Sequence, residues 1–307
     1  MNIETVSPKR KLWQIIFISP SEPRLRAGWR LGGQLFFMSI LLVLISPLTA
    51  ISIRTLKIDT NGLNGMVISQ LLSLLAMTGS IFLARTWLDK RSFSGLGMQL
   101  SPRALLDVLA GIAFCVPMMG LIFAIELGLG WTHFDGMAWN SDPLPVVLGG
   151  LASNLFLFLL VGWNEELFSR GYQLQTLESG LNTFWAVLIS ASVFGLLHLG
   201  NPGASWTSTL GILLAGIFLA LPYIWTRQLW ISIGLHIGWN FCEGTIFGFP
   251  VSGLDTFRLV RHTVNGPVIW TGGGFGPEAG LLVIPGLMLG TLLVYMYARS
   301  SFRSKIQ

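Results

Sequence analysis

The chain has 307 residues, 52% of them hydrophobic and only 11% charged, with a mean hydropathy of +0.66. Soluble domains carry about 25% charged residues, so these values speak against a soluble fold. The net charge of +5 implies no nucleic-acid partner, because no basic face on a folded soluble surface is visible.

In chain order, residues 1–32 form a basic N-terminal tail without the short apolar core and small-residue cleavage site of a signal peptide, so no cleaved leader is expected. Within it, Lys11 to Phe17 reads equally as a helix lying on the membrane surface and as a plain tail. Apolar spans near the length of about 20 residues needed to cross hydrocarbon follow. They fall at 33–53, 64–86, 104–129, 145–178, 182–200, 207–226, 229–248 and 278–298, and a basic C-terminal tail, 299–307, closes the chain. The expected fold is all-α, a polytopic membrane bundle of about eight helices. No alternating stretch is long enough for a membrane barrel, and no repeat appears.

The basic residues set an orientation. With eight spans, fifteen of the nineteen Lys and Arg fall on one side, and Arg54, Lys57, Arg258 and Arg261 on the other. The basic side faces the cytoplasm, which puts both termini there. Cys115 and Cys242 fall singly within apolar spans, read as small buried hydrophobes, and supply neither a disulfide framework nor a thiolate zinc site.

Ionisable residues inside such spans cost at least about 2.5–3.5 kcal/mol each on insertion scales, so their grouping carries information. The fourth span runs from apolar Val146–Val161 straight into Gly162-Trp163-Asn164-Glu165-Glu166-Leu167-Phe168-Ser169-Arg170. On a continuous helix Glu166 and Arg170 share a face and can pair. Glu165 points about 100° away, which leaves one carboxylate in need of a cation, a proton or a positioned water. His198 ends the fifth span, and a chain reversal near Ser179-Gly180-Leu181 brings it to within about 5 Å of the height of Glu165 at about 1.5 Å per residue. His236 and Asn240 share a face of the seventh span, as does Glu243. Two imidazoles, a carboxylate and an amide oxygen converging from three helices would suit zinc.

These motifs, in this order, resemble the CPBP intramembrane proteases, a family that includes CAAX-processing enzymes and bacteriocin-processing or self-immunity proteins. The resemblance rests on Glu165-Glu166 with Arg170, Phe194 with His198, and His236 with Asn240, covers about 145–248, and extends more loosely to Gly272–Glu278. It implies an intramembrane endopeptidase in the plasma membrane of a prokaryote, acting on membrane-embedded or membrane-adjacent peptides. Glu165 would activate water or help hold a metal, His198 and His236 would hold metal or water, and Asn240 would contact the metal or the oxyanion. Glu166 completes this candidate catalytic set of five and, with Arg170, would hold the helix in register, while Arg170 and Phe194 would give structural support. Zinc is the implied cofactor, although no H-E-x-x-H motif is present and a glutamate–histidine mechanism without metal stays open. A non-catalytic immunity or scaffold protein, and an ion-coupled transporter, are the alternatives.

Each feature also has a plainer reading. The Glu-Glu…Arg cluster alone could be an ion pair locking helices, and either histidine alone a hydrogen-bonded core residue. Trp163 and Trp239 read as packing or interface aromatics. Gly272 to Glu278 reads as a flexible turn and helix start. Glu126 and Glu243 are candidates for lining a wet cavity, and His133 and His262 fall in expected loops and receive no role.

Overall fold

Long apolar segments without internal water must satisfy their backbone as helices, and the computed structural model, which describes residues 11–303, is built that way. In chain order the elements are α1 (Leu12–Phe17), α2 (Ala27–Leu56), α3 (Gly62–Leu83), α4 (Pro102–Gly128), β1 (Thr132–Met137), α5 (Leu144–Glu166) and α6 (Leu174–Glu178). They continue with α7 (Thr183–Leu197), α8 (Trp206–Thr226), α9 (Trp230–Asn240), β2 (Val260–Val264), α10 (Val268–Thr271) and α11 (Val283–Arg303). Among the described residues, seven helical stretches are long and apolar enough to cross a membrane. Large apolar side chains such as Phe36, Val43, Leu105 and Met288 project outward from them, as a lipid-facing surface requires.

The expected span at 229–248 is the one that differs. It is the short helix α9 followed by a π-helical stretch, Phe241–Ile246, and every residue of α9 is buried. Glycines explain how it is enclosed. A Cβ on Gly234 would lie 2.2 Å from the Val108 carbonyl oxygen, and one on Gly111 would lie 2.6 Å from the Leu235 nitrogen. Helices α4 and α9 therefore cross at backbone contact, the small-residue packing typical of membrane helices. The helix bearing His236 and Asn240 is the centre of the bundle.

Polar ties identify the two ends of the bundle. At one end Arg30 bonds Asp89 at 2.6 Å and Ser179 at 2.5 Å, Arg227 bonds Glu178 at 2.8 Å, the Trp230 indole bonds the Gln99 carbonyl at 3.0 Å, and the Tyr297 hydroxyl bonds Asp107 at 2.7 Å. At the other, β1 and β2 pair antiparallel with Thr132 opposite Val264, Arg261 bonds Asp142, and Asn201 bonds the Ser252 carbonyl. The start of α2, the end of α11 and every second connection lie at the same end, so α2 to α11 make an even number of passes.

Several local expectations change. His133 and His262 sit in β1 and β2 rather than in loops, and His262 is buried between Phe123 and Phe249. The last long helix begins at Val283 rather than at 278 and continues through the expected tail as far as Arg303, since nothing between Tyr297 and Arg303 breaks it. Helix α1 forms within Lys11–Phe17 with Leu12, Trp13, Ile15 and Ile16 exposed, and it is fastened to α2 by a bond from the Trp29 indole to the Ile16 carbonyl. That exposure fits the membrane-surface reading.

Candidate active site

The fourth membrane helix carries the first half of the site. Helix α5 passes into a π-helical stretch, Leu167–Gln173, immediately after Glu166. Arg170 still reaches back one turn, and its guanidinium donates to Glu166 Oε1 at 2.6 Å and to the Gly216 carbonyl at 3.0 Å. Both partners of the ion pair are essentially without solvent contact, at 1% and 0% side-chain exposure. The pairing expected from sequence is therefore present. Glu166 does one thing more: its Oε1 also accepts from His236 Nδ1 at 2.7 Å.

Two hydrogen bonds fix a proton on Nδ1 of each imidazole. A carbonyl oxygen can only accept, so the 2.8 Å contact between His198 Nδ1 and the Phe194 carbonyl puts the proton on Nδ1. The bond from His236 Nδ1 to a carboxylate already paired with Arg170 does the same for the second ring. In its uncharged form each ring then presents a lone pair at Nε2. Those two atoms stand 3.7 Å and 3.8 Å from the same oxygen, Glu165 Oε2, too far for direct hydrogen bonds. That oxygen is buried and has no partner. With both rings uncharged, three acceptors face one another with no donor between them, and the arrangement calls for a water, a proton or a cation.

Phe194 supports this geometry from one side. Its ring lies 4.8 Å from that of His198 and 6.0 Å from that of His236, and the Arg170 guanidinium stacks over it at 4.3 Å. Asn240, one turn after His236, is buried and lines the same cavity. All five residues singled out as catalytic, together with Arg170 and Phe194, come together in this one region. Glu243, expected on the face of His236 and Asn240, falls in the π-helical stretch Phe241–Ile246 and does not line the cavity with them.

The cavity has a volume of about 580 Å³ and is bounded by Gln70, Val161, Phe168, Phe218, Trp239 and Leu287, among others. It also contains a residue that sequence reading left as part of a turn. Glu278, buried, accepts from the Trp239 indole at 3.1 Å and from the Ser252 hydroxyl at 2.5 Å. Burial raises its carboxyl above the ordinary value, against the Ser252 bond and the two nearby imidazoles, which lower it. The loop can fold in this far because a glycine receives it: a Cβ on Gly211 would lie 1.8 Å from the Glu278 carbonyl oxygen.

The donor types at Glu165, His198 and His236 suit zinc, whose nitrogen and oxygen ligands lie about 2.0–2.2 Å from the ion and so at most about 4.4 Å apart. The two measured separations meet that limit, and the bonds at both Nδ1 atoms are those that commonly orient ligating histidines. Among the described residues, however, no group of three or more His, Cys, Asp or Glu side chains qualifies as a whole as an ion site. The fit is in chemistry and in pairs rather than in a closed set.

Fold and site together define a polytopic helical membrane protein with a Glu/His-lined cavity between its spans. Residues 147–242 match the family model described as type II CAAX prenyl endopeptidase Rce1-like. The matched stretch contains Glu165, Glu166, Arg170, Phe194, His198, His236 and Asn240, and the match supports the resemblance to the CPBP family of CAAX proteases. A search of curated proteins found no match to the chain.

Proposed function

We propose that the protein is an intramembrane endopeptidase that hydrolyses peptide bonds of membrane-embedded or membrane-adjacent substrates. The observation that carries this reading is the partnerless Glu165 Oε2, facing the Nε2 atoms of two imidazoles in a cavity between the helices. In the reaction Glu165 removes a proton from the attacking water, and the same carboxyl later returns a proton to the leaving amine. The Asn240 amide supplies an N–H for the oxyanion that develops on the scissile carbonyl. Glu166, held by Arg170, keeps His236 in the tautomer with a free Nε2, and the Phe194 carbonyl does so for His198. The low-dielectric surroundings of the helices strengthen each of these interactions relative to water. The direct test is cleavage of membrane-anchored peptides by the purified protein, compared between wild type and Glu165→Ala.

Zinc is the cofactor we propose, with Glu165, His198 and His236 as ligands and Asn240 as a further contact. When bound it would lower the pKa of a coordinated water to about 7 and polarise the scissile carbonyl. Metal analysis of protein purified in detergent decides the matter without reference to activity. We expect about one zinc per chain in the wild type and loss of most of it in both His198→Ala and His236→Ala; unchanged occupancy in the two variants removes the metal from the mechanism.

We further infer that the protein sits in the plasma membrane of a prokaryote with both termini in the cytoplasm. Arg24, Arg26, Arg30, Arg85, Lys90, Arg91 and Arg227 gather at the end of the bundle where α2 begins, and the basic end faces the cytoplasm. Reporter fusions at the two termini are expected to give the same cytoplasmic signal. A periplasmic signal from either one contradicts the orientation.

A further inference from the structure

A second polar centre lies away from the cavity, at the elbow where α1 joins α2. Backbone bonds from the Ser19 amide to the Arg24 carbonyl and from the Arg26 amide to the Phe17 carbonyl close the elbow, and the rings of Phe17 and Trp29 meet there at 4.9 Å. Beside it the Asp89 carboxylate, without solvent contact, receives three guanidiniums, Arg30 at 2.6 Å, Arg85 at 3.2 Å and Arg24 at 3.4 Å. Glu22 is shared by Arg24 at 2.6 Å and Arg91 at 3.1 Å. Lys90 stands between Asp89 and Arg91 in sequence and Arg26 follows Arg24 closely; both, like Arg91, are exposed. Six cations therefore meet two carboxylates at this corner. Glu178 does not redress the balance, since it is taken by Arg227. Burial, followed by the charges of Arg30 and Arg91, pushes the Arg24 guanidinium below its ordinary value, although it stays charged. Positive charge is in excess here and partly out of water, where an unbalanced charge is costly.

We propose that this elbow is a binding site for an anionic phospholipid, with the headgroup phosphate on Arg26, Lys90 and Arg91 and the acyl chains beside α1. The buried Arg24, Arg30 and Arg85 add their field at short range through surroundings less polar than water. Helix α1 supplies the apolar half of the site, since Leu12, Trp13, Ile15, Ile16 and Phe17 all point outward, with exposures from 39% at Phe17 to 73% at Leu12. An outward apolar helix next to a bank of cations is the composition of a membrane-surface anchor, whose affinity adds apolar burial to attraction for anionic lipid. Bound there, the lipid braces more than the N-terminus. Asp89 ends the helix that continues α3, and Ser179, which Arg30 bonds, follows α6 at the end of the helix that carries Glu165. The site is independent of the peptidase reading.

The experiment titrates the full-length protein, stripped of lipid in detergent at low ionic strength, with dioleoyl-phosphatidylglycerol or dioleoyl-phosphatidylcholine and counts bound lipid by native mass spectrometry. A cation near an anionic lipid contributes about fivefold in affinity, so the wild type is expected to prefer the anionic lipid by roughly tenfold or more. Arg26→Gln/Lys90→Gln/Arg91→Gln should reduce that preference to about twofold or less. Arg54→Gln/Lys57→Gln, at the opposite end of α2, should leave it intact. Leu12→Ser/Ile16→Ser should weaken both lipids alike, because it removes apolar contact and no charge. Excess inorganic phosphate should not displace the bound lipid, since it has the charge and lacks the chains. The three substituted cations are exposed, and should the triple variant nonetheless fold poorly, Lys90→Gln alone should lose about fivefold of the preference. Equal binding of the two lipids, a preference that survives the triple variant or is lost equally at the opposite end, an α1 variant that binds as wild type, or displacement by inorganic phosphate overturns the site.

Discussion

Glu165→Ala should abolish peptide hydrolysis while leaving the amount of folded protein almost unchanged. A positioned general base contributes about 10²–10⁴-fold, and the effect grows if the same carboxylate also helps to hold the ion. The expectation for folding comes from how little Glu165 touches. Its side chain is 27% exposed, and the Nε2 atoms of His198 and His236, at 3.7 Å and 3.8 Å, lie beyond hydrogen-bonding distance. Truncation strands no paired charge, because the Arg170 guanidinium belongs to Glu166. It also removes a buried oxygen that has no partner. Stability should therefore stay within about 1 kcal/mol of wild type, read as an unchanged thermal midpoint and monodisperse elution in detergent. Glu165→Gln, which keeps the shape and removes the basicity, should lose as much activity. Cleavage retained within tenfold by either variant would end the assignment of Glu165 as the base. Collapse of the folded yield would instead favour a purely structural cluster.

Why the cluster was legible in sequence, and what was not, follows from the range of the forces involved. The Glu166–Arg170 pair is a property of a single helical turn, and the four-residue spacing of His236 and Asn240 is another, so both could be read from adjacent letters. The depth match of Glu165 with His198 needed only the reversal near Ser179-Gly180, where α6 and α7 indeed meet, with Asn182 capping α7 through the Trp185 amide. Glu278 was hidden because its neighbours in sequence are glycines and a proline, which locally describe a turn; only contacts with Trp239, Ser252 and the bare backbone of Gly211 bring it into the cavity. The second role of Glu166, as the orienting partner of His236 seventy residues away, has no local signature. The π-helical stretches after Glu166 and Asn240 were also invisible, although stretches of this kind frequently occur at functional sites. The second contains Glu243, which does not line the cavity with His236 and Asn240. The pairing of β1 with β2 joins segments separated by the five helices α5 to α9, which a reading of apolar periodicity does not reach.

Arg170→Met is expected to fail in a different way, by unfolding the bundle rather than by silencing a folded protein. Removing one partner of a buried ion pair leaves the other charge uncompensated and typically costs about 3–5 kcal/mol. Here the loss extends further, because the Arg170 guanidinium also satisfies the Gly216 carbonyl on α8 and stacks on Phe194 of α7. One side chain of the fourth membrane helix thereby ties down two others. Glu166→Gln should be similarly destabilising, since it strands Arg170 and weakens the bond that orients His236. The double variant Glu166→Gln/Arg170→Met should recover part of the stability lost in each single one, because no unpaired charge remains, and a coupling of this kind between contacting residues is commonly about 0.5–3 kcal/mol. Its activity should nonetheless stay low, as an amide in place of a carboxylate no longer holds the His236 proton on Nδ1 with the same strength. Thermal or denaturant unfolding in detergent reads the first quantity and peptide cleavage the second. Additive destabilisation in the double variant would deny the ion pair, and recovered stability together with recovered activity would reduce Glu166 to a structural residue with no hold on His236.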